Sequence, residues 1–148
     1  MEEETTNVVA NHRIYADIFK KKKRVWKRMS RHVVASRSLQ GCLDHNYAST
    51  HKTKMYAQVR YKNKKYYCHV VAAMIRSKRP PEIGEEASHL CGRPTCIEPK
   101  HLTFESGPVN KSRRCCHLYL GKHPRYICPH EPQCIVARAE GGNNNNNK

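Results

Sequence analysis

The chain has no apolar run approaching the roughly 20 residues that cross a bilayer as a helix, and no apolar segment of signal type follows Met1. A helical membrane span is excluded, and an intracellular, nuclear location is expected. Hydrophobic residues make up only 38% and aromatics 7% of the 148 residues, which is too little apolar surface for a large self-sufficient core. One domain is the expected scale, and something besides burial should help to hold it. Acidic side chains are scarce as well: 12 Asp and Glu stand against 28 Lys and Arg, for a formal charge of +16. That excess goes far beyond what solubility requires and suits a polyanionic partner, nucleic acid before all others. No internal repeat is evident.

Cysteine, in contrast, is plentiful, with eight residues. Without a secretory signal these read as reduced thiols used on metal rather than as disulfides. Cys91, Cys96 and His101 follow one another at intervals of five. Structural zinc takes four tetrahedral sulfur or nitrogen ligands, so a fourth must come from elsewhere. Cys42, in the loop Gly41-Cys42-Leu43-Asp44, is the best donor. A second set consists of Cys116, Cys128, His130 and Cys134, with Cys115 as the alternative to Cys116. Cys68 and the unused member of the 115/116 pair are expected to be small buried residues. Two structural zinc ions per chain would then supply the missing core. The competing reading is a disulfide-linked cationic protein, for which spacing gives no connectivity.

Residues 1–31 read as an acidic terminus, with Glu2, Glu3 and Glu4, followed by a basic arm or helix from Lys20 to Arg31 in which Ile14, Ile18, Val25 and Trp26 are the sparse apolar partners. Such a run is a nuclear localisation signal, a phosphate-binding patch or a solvated face. Residues 32–138 read as a single domain. Within it, residues 55–70 form a β-hairpin: Tyr56, Val59 and Tyr61, a polar turn from Lys62 to Lys65, then Tyr66 to Val70. A short helix from Val70 to Ile75 is stopped by Pro80 and Pro81. Beyond Pro81 cysteine, histidine, proline and glycine dominate, and loops are expected. Residues 139–148, which include Asn143 to Asn147, are low in complexity and read as a disordered tail.

The segments Ser88-His89-Leu90-Cys91, Cys96, His101-Leu102, Glu105-Ser106, Asn110-Lys111, Cys116, and Cys128, His130 and Cys134 closely resemble the His-Cys box of the homing endonucleases, a branch of the nucleases built on a ββα-metal (His-Me finger) site. About fifty residues carry the likeness. It implies an α+β fold: a small zinc-stapled ββα-metal nuclease domain with an antiparallel DNA-binding hairpin and long zinc-bound loops, its ββα site in residues 87–115 and a second zinc loop in 116–134. In that family the histidine two positions before the first box cysteine activates water, and the asparagine opening the following helix binds one catalytic divalent metal. Those positions are His89 and Asn110, and their separation of 21 residues agrees with the family pattern. The cofactors implied are one Mg²⁺ and two Zn²⁺. The family also holds the scissile phosphate with an arginine on the preceding sheet, for which Arg60 is the natural candidate. His69 is a weaker rival base, expected to be packed at a strand end.

The resemblance implies an endonuclease that hydrolyses double-stranded DNA at a specific site, with His89 expected as general base and Asn110 as the Mg²⁺ ligand. DNA recognition would fall to the hairpin, where Gln58, Arg60, Lys62, Lys64 and Lys65 alternate with Tyr56, Val59 and Tyr61. A two-stranded ribbon fits the major groove, Arg and Gln can read base edges, and lysines neutralise phosphates. Two features depart from the family's best-known member. The stretch between Cys116 and Cys128, containing Tyr119, Gly121, His123 and Pro124, is longer and reads as a loop insertion. Only fourteen residues follow Cys134, fewer than the arm by which that member embraces its partner, so a homodimer is left open. The alternative function is a non-catalytic, zinc-dependent DNA-binding protein derived from such a nuclease.

Overall fold

The computed structural model describes residues 12–35, 41–45, 56–119, 122–123 and 125–136. The acidic terminus, Met55, Gly121, Pro124 and the Asn-rich tail lie outside the described residues. Among the described residues there are four helices and three two-stranded antiparallel sheets, a mixed α+β architecture. The helices are α1 (residues 12–19), α2 (Lys22–Met29), α3 (Cys68–Ser77) and α4 (Gly107–Tyr119). The strands are β1 (Val33–Ala35), β2 (Leu43–His45), β3 (Gln58–Tyr61), β4 (Lys64–Tyr67), β5 (Glu85–His89) and β6 (Leu102–Ser106), paired β1 with β2, β3 with β4 and β5 with β6.

The β3–β4 hairpin closes through the two residues Lys62 and Asn63, both left-handed at φ 46° and 63°. That geometry matches the twist of the flanking strands. The polar turn is thus shorter than the expected Lys62 to Lys65, and Lys64 and Lys65 belong to β4. Pairing sets Val59 opposite Tyr66 on the core face and Gln58 opposite Tyr67 and Arg60 opposite Lys65 on the outer face. The strand ends earlier than the sequence suggests, because the Cys68 N–H donates back to the Ala57 carbonyl at 2.9 Å and the chain turns directly into α3. Cys68, His69 and Val70 are helical, not strand. Their β-branched and aromatic neighbours mimic a strand, but Cys68, Val71 and Ala72 are buried at i, i+3 and i+4, and Ala73 and Met74 beyond them are buried as well. Lys78, left-handed at φ 55°, ends the helix by donating to the Met74 carbonyl before Pro80 and Pro81.

Val25 and Met29 of α2 and Tyr15 and Ile18 of α1 are buried in one core with Val71, Met74, Ile97, Leu102 and Phe104. The basic segment therefore does not stand apart as an arm. Its apolar positions recur every three to four residues and face α3, which leaves Lys20, Lys23, Arg24 and Lys27 to the outer side. The core is small. Each fully buried aliphatic side chain contributes about 1.5–3 kcal/mol, whereas a structural zinc site contributes about 10–16 kcal/mol in isolated zinc modules. The fold is arranged so that two Cys/His clusters hold the loops the core does not reach.

β5 and β6 pair from Glu85 opposite Ser106 to His89 opposite Leu102, and β6 runs directly into α4, which packs across the pair. The result is a ββα unit. The Arg76 guanidinium of α3 donates to the Lys100 and Leu102 carbonyls at 2.7 and 2.9 Å, tying the core helix to the root of β6.

Candidate functional site

The ligand atoms of Cys42, Cys91, Cys96 and His101 lie within 4.8 Å of one another, all four residues buried. His101 Nδ1 stands 3.6 Å from the Cys42 sulfur and 3.5 Å from that of Cys96. Zinc bonds of about 2.3 Å to sulfur and 2.0–2.1 Å to nitrogen place tetrahedral N and S ligands at about this spacing, so the set fits zinc. Sequence-distant Cys42 arrives by way of β2: the Leu43 carbonyl accepts from Ile97 N at 2.7 Å, and Asp44 accepts from Arg93 and from the Thr95 hydroxyl, each at 2.9 Å. A hydrogen bond from Cys91 and backbone N–H groups lower the Cys96 thiol to about 5 against the effect of burial.

Cys116, Cys128, His130 and Cys134 form the second cluster, with His130 Nδ1 at 3.2, 3.4 and 3.7 Å from the three sulfurs. Burial raises the Cys128 thiol, but backbone N–H groups of Cys134 and His130 outweigh it and bring it to about 6. Cys116 is buried and in the cluster, whereas Cys115 is exposed, contrary to the expectation that it is buried. Successive residues of a helix point about 100° apart, so α4 turns Cys116 into the cluster and Cys115 to solvent. All eight cysteines are free, and six of them stand in the two clusters. The clusters are linked, since Ile135, next to Cys134, donates its N–H to the Leu90 carbonyl at 2.8 Å and packs on the first cluster.

His89, at the end of β5, has Nε2 2.9 Å from the Cys96 carbonyl. A carbonyl only accepts, so Nε2 carries the proton and Nδ1 keeps the lone pair. Burial pushes the imidazole down to about 4, against the Cys96 carbonyl, which favours the protonated form. The ring is neutral at neutral pH and able to accept a proton. Tyr56 and His69 stack on it, at 6.0 and 5.1 Å between ring centroids.

His69 is not at a strand end but in the first turn of α3. Its Nδ1 is buried without a hydrogen-bond partner, and burial, then His89, lowers it to about 3. It does not line the His89 cleft, and so supports the ring of His89 rather than competing with it.

Asn110, in the first turn of α4, lines the same cleft as His89. Its Oδ1 accepts from the Ser88 hydroxyl at 2.7 Å, and its Nδ2 donates to Glu86 at 2.8 Å. An amide oxygen has two lone pairs, so one remains for a cation. The cleft holds about 330 Å³ and is also lined by Tyr56, Lys111, Arg114 and His117. Lys111 and Arg114 are exposed, the cations available to a phosphate there. Arg60 is not among the lining residues. It lies on the exposed outer face of the hairpin opposite Lys65. Gln58 shares that face half-buried, and Lys62, Lys64 and Lys65 are exposed around the tip.

Arg113, only 2% exposed, was invisible in the sequence among 28 basic residues. It forms a two-pronged pair with Glu105 at 2.6 and 2.7 Å and also donates to the Pro132 carbonyl and the Cys134 sulfur. It joins β6, α4 and the second cluster. Gly92 is likewise required: at φ +69° a Cβ there would meet the His117 ring at 2.7 Å.

A family model described as the zinc-binding loop region of homing endonuclease matches residues 16–146. The chain belongs to that homing endonuclease family, in the form of a small His-Me domain with two Cys/His clusters suited to zinc. No curated protein and no solved structure gives a significant match.

Proposed function

We propose that the protein is a metal-dependent endonuclease that hydrolyses phosphodiester bonds in double-stranded DNA at a specific site. The observation that carries this reading is the joint presence, in one cleft, of a neutral histidine with a free ring lone pair and an asparagine with a free carbonyl lone pair. His89 takes the proton of the attacking water, its ring aimed by the Cys96 carbonyl and backed by His69 and Tyr56. Mg²⁺ held at the Asn110 oxygen would neutralise charge on the scissile phosphate and the departing 3′ oxygen. Lys111 and Arg114 bind the phosphate from α4. Structural zinc ions, held by Cys42, Cys91, Cys96 and His101 and by Cys116, Cys128, His130 and Cys134, fix the segments on either side of His89 and Asn110.

The outer face of the hairpin supports DNA as the partner. Arg60 and Lys65 stand directly opposite one another, an arrangement that repels unless an anion lies across it. Lys62 at the tip approaches Lys21 at the start of α2 closely enough to lower the latter's pKa. Hairpin and basic helix thus make one cationic surface, and Tyr56 carries it to His89. Binding there should be strongly salt-dependent.

The test is a plasmid carrying a selected target site, incubated with zinc-loaded protein and Mg²⁺. The wild type should linearise it, EDTA should stop cutting, and His89→Ala and Asn110→Ala should leave it intact. Cutting that survives both substitutions would remove the assignment, and binding without cutting by wild type would favour a DNA-binding protein that has lost catalysis.

A further inference from the structure

Asn110 is placed by two neighbours of opposite character. The Ser88 hydroxyl donates to Oδ1 and the Glu86 carboxylate accepts from Nδ2. An ionised carboxylate can only accept, so it can face only the NH₂ end of an amide. With Glu86 in place the amide cannot turn over, and the oxygen is directed to the side of Ser88. Glu86 and Ser88 are two residues apart on β5 and so project to the same face, the one that the first turn of α4 covers.

The Glu86 carboxylate is also seated by the backbone. Gly107 opens α4, and a Cβ there would stand 3.0 Å from Glu86 Oε1. Glycine at that position leaves room for the carboxylate against the helix start, where the partial positive charge of the helix favours an anion. Across the sheet, Glu86 pairs directly with Glu105, and two like charges so placed repel. Glu105 is matched by Arg113. Among the described residues Glu86 has no such cation, and its hydrogen-bond partner, Asn110, is neutral. An unmatched negative charge is thus held one amide away from Asn110 Oδ1.

Glu86 faces the neighbouring hollow of about 400 Å³ with Tyr15, Tyr67 and Phe104, not the His89 cleft, and Asn110 forms the wall between the two. It therefore acts from behind the amide. We propose that Glu86 is the positioning residue of the divalent-metal site: it fixes the Asn110 amide with its oxygen towards the cleft and supplies the negative charge that draws a divalent cation there before DNA arrives. The proposal rests on the reading of Asn110 as the metal ligand.

The experiment is a Mn²⁺ titration of the zinc-loaded full chain without DNA, followed by electron paramagnetic resonance, for wild type, Glu86→Gln, Glu86→Ala and Asn110→Ala. Zinc content and melting temperature are read in parallel. Glu86→Gln keeps an acceptor for Nδ2 but loses the charge and should weaken Mn²⁺ about tenfold, with zinc content unchanged. Glu86→Ala frees the amide as well and should weaken it further, and Asn110→Ala should abolish binding. Wild-type affinity in both Glu86 variants, with binding lost in Asn110→Ala, would overturn the role of Glu86 alone. So would a wild-type chain that takes up no Mn²⁺ without DNA. Undiminished binding by Asn110→Ala would remove the metal reading on which the proposal stands.

Discussion

Arg113 is a permanently charged side chain buried to 2% exposure, tolerable because Glu105 neutralises it and the Pro132 carbonyl and Cys134 sulfur use its remaining donors. Burial alone would raise the Glu105 carboxyl, but the guanidinium outweighs it and holds the carboxyl below its ordinary value. Arg113→Ala would leave that half-buried carboxylate without its cation, and should destabilise the fold by about 3–5 kcal/mol, measured by chemical denaturation. Arg113→Lys should recover only part of this, because an ammonium cannot reproduce the two-pronged geometry. Neither this pair nor Glu86 could be read from the sequence, since nothing local distinguishes them from solvated charges. The metal-type residues could, because ligation ties Cys91, Cys96 and His101, and likewise Cys128, His130 and Cys134, into short spacings that other roles do not require. Cys42 was reachable only by elimination, its approach depending on β2 pairing beside Ile97.

At the scale of elements, the aromatic and β-branched residues Tyr56, Val59, Tyr61, Tyr66 and Tyr67 around a polar turn made the hairpin legible, and Pro80 and Pro81 marked the end of α3. The start of α3 was not legible, because Tyr66 to Val70 has the composition of a strand and the change to helix is decided by the Ala57 carbonyl and by packing on α2. Alternation likewise gives the face on which Arg60 stands but not its distance from α4, far along the chain. On the exposed outer face beside Lys65, Arg60 is proposed to contact the DNA backbone. Replacing both Arg60 and Lys65 by alanine should reduce the slope of log affinity against log salt by about two and weaken all duplexes alike. A fluorescence-anisotropy salt series on target and scrambled duplexes measures this, and an unchanged slope would remove the hairpin from the interface.

For the whole molecule, the modest core and the two Cys/His clusters have to be considered together. Residues 41–45, 90–101 and 126–135 supply seven of the eight cluster ligands. Loss of zinc should therefore abolish the cooperative melting transition rather than lower it slightly. Thiol titration gives a sharper readout: with zinc bound, one cysteine, the exposed Cys115, should react quickly, and all eight should react after chelation in denaturant. Rapid reaction of several thiols in the zinc-loaded protein would contradict the ligand sets. The central claim, however, is chemical, and the most direct measurement is single-turnover cleavage of one bound duplex by zinc-loaded wild type and His89→Ala at saturating Mg²⁺, with binding of both verified by gel shift. Equal binding with a rate about 10²–10⁴-fold lower in the variant is the predicted result, the contribution expected of a general base; equal cleavage rates, or no cleavage by the wild type, would contradict it.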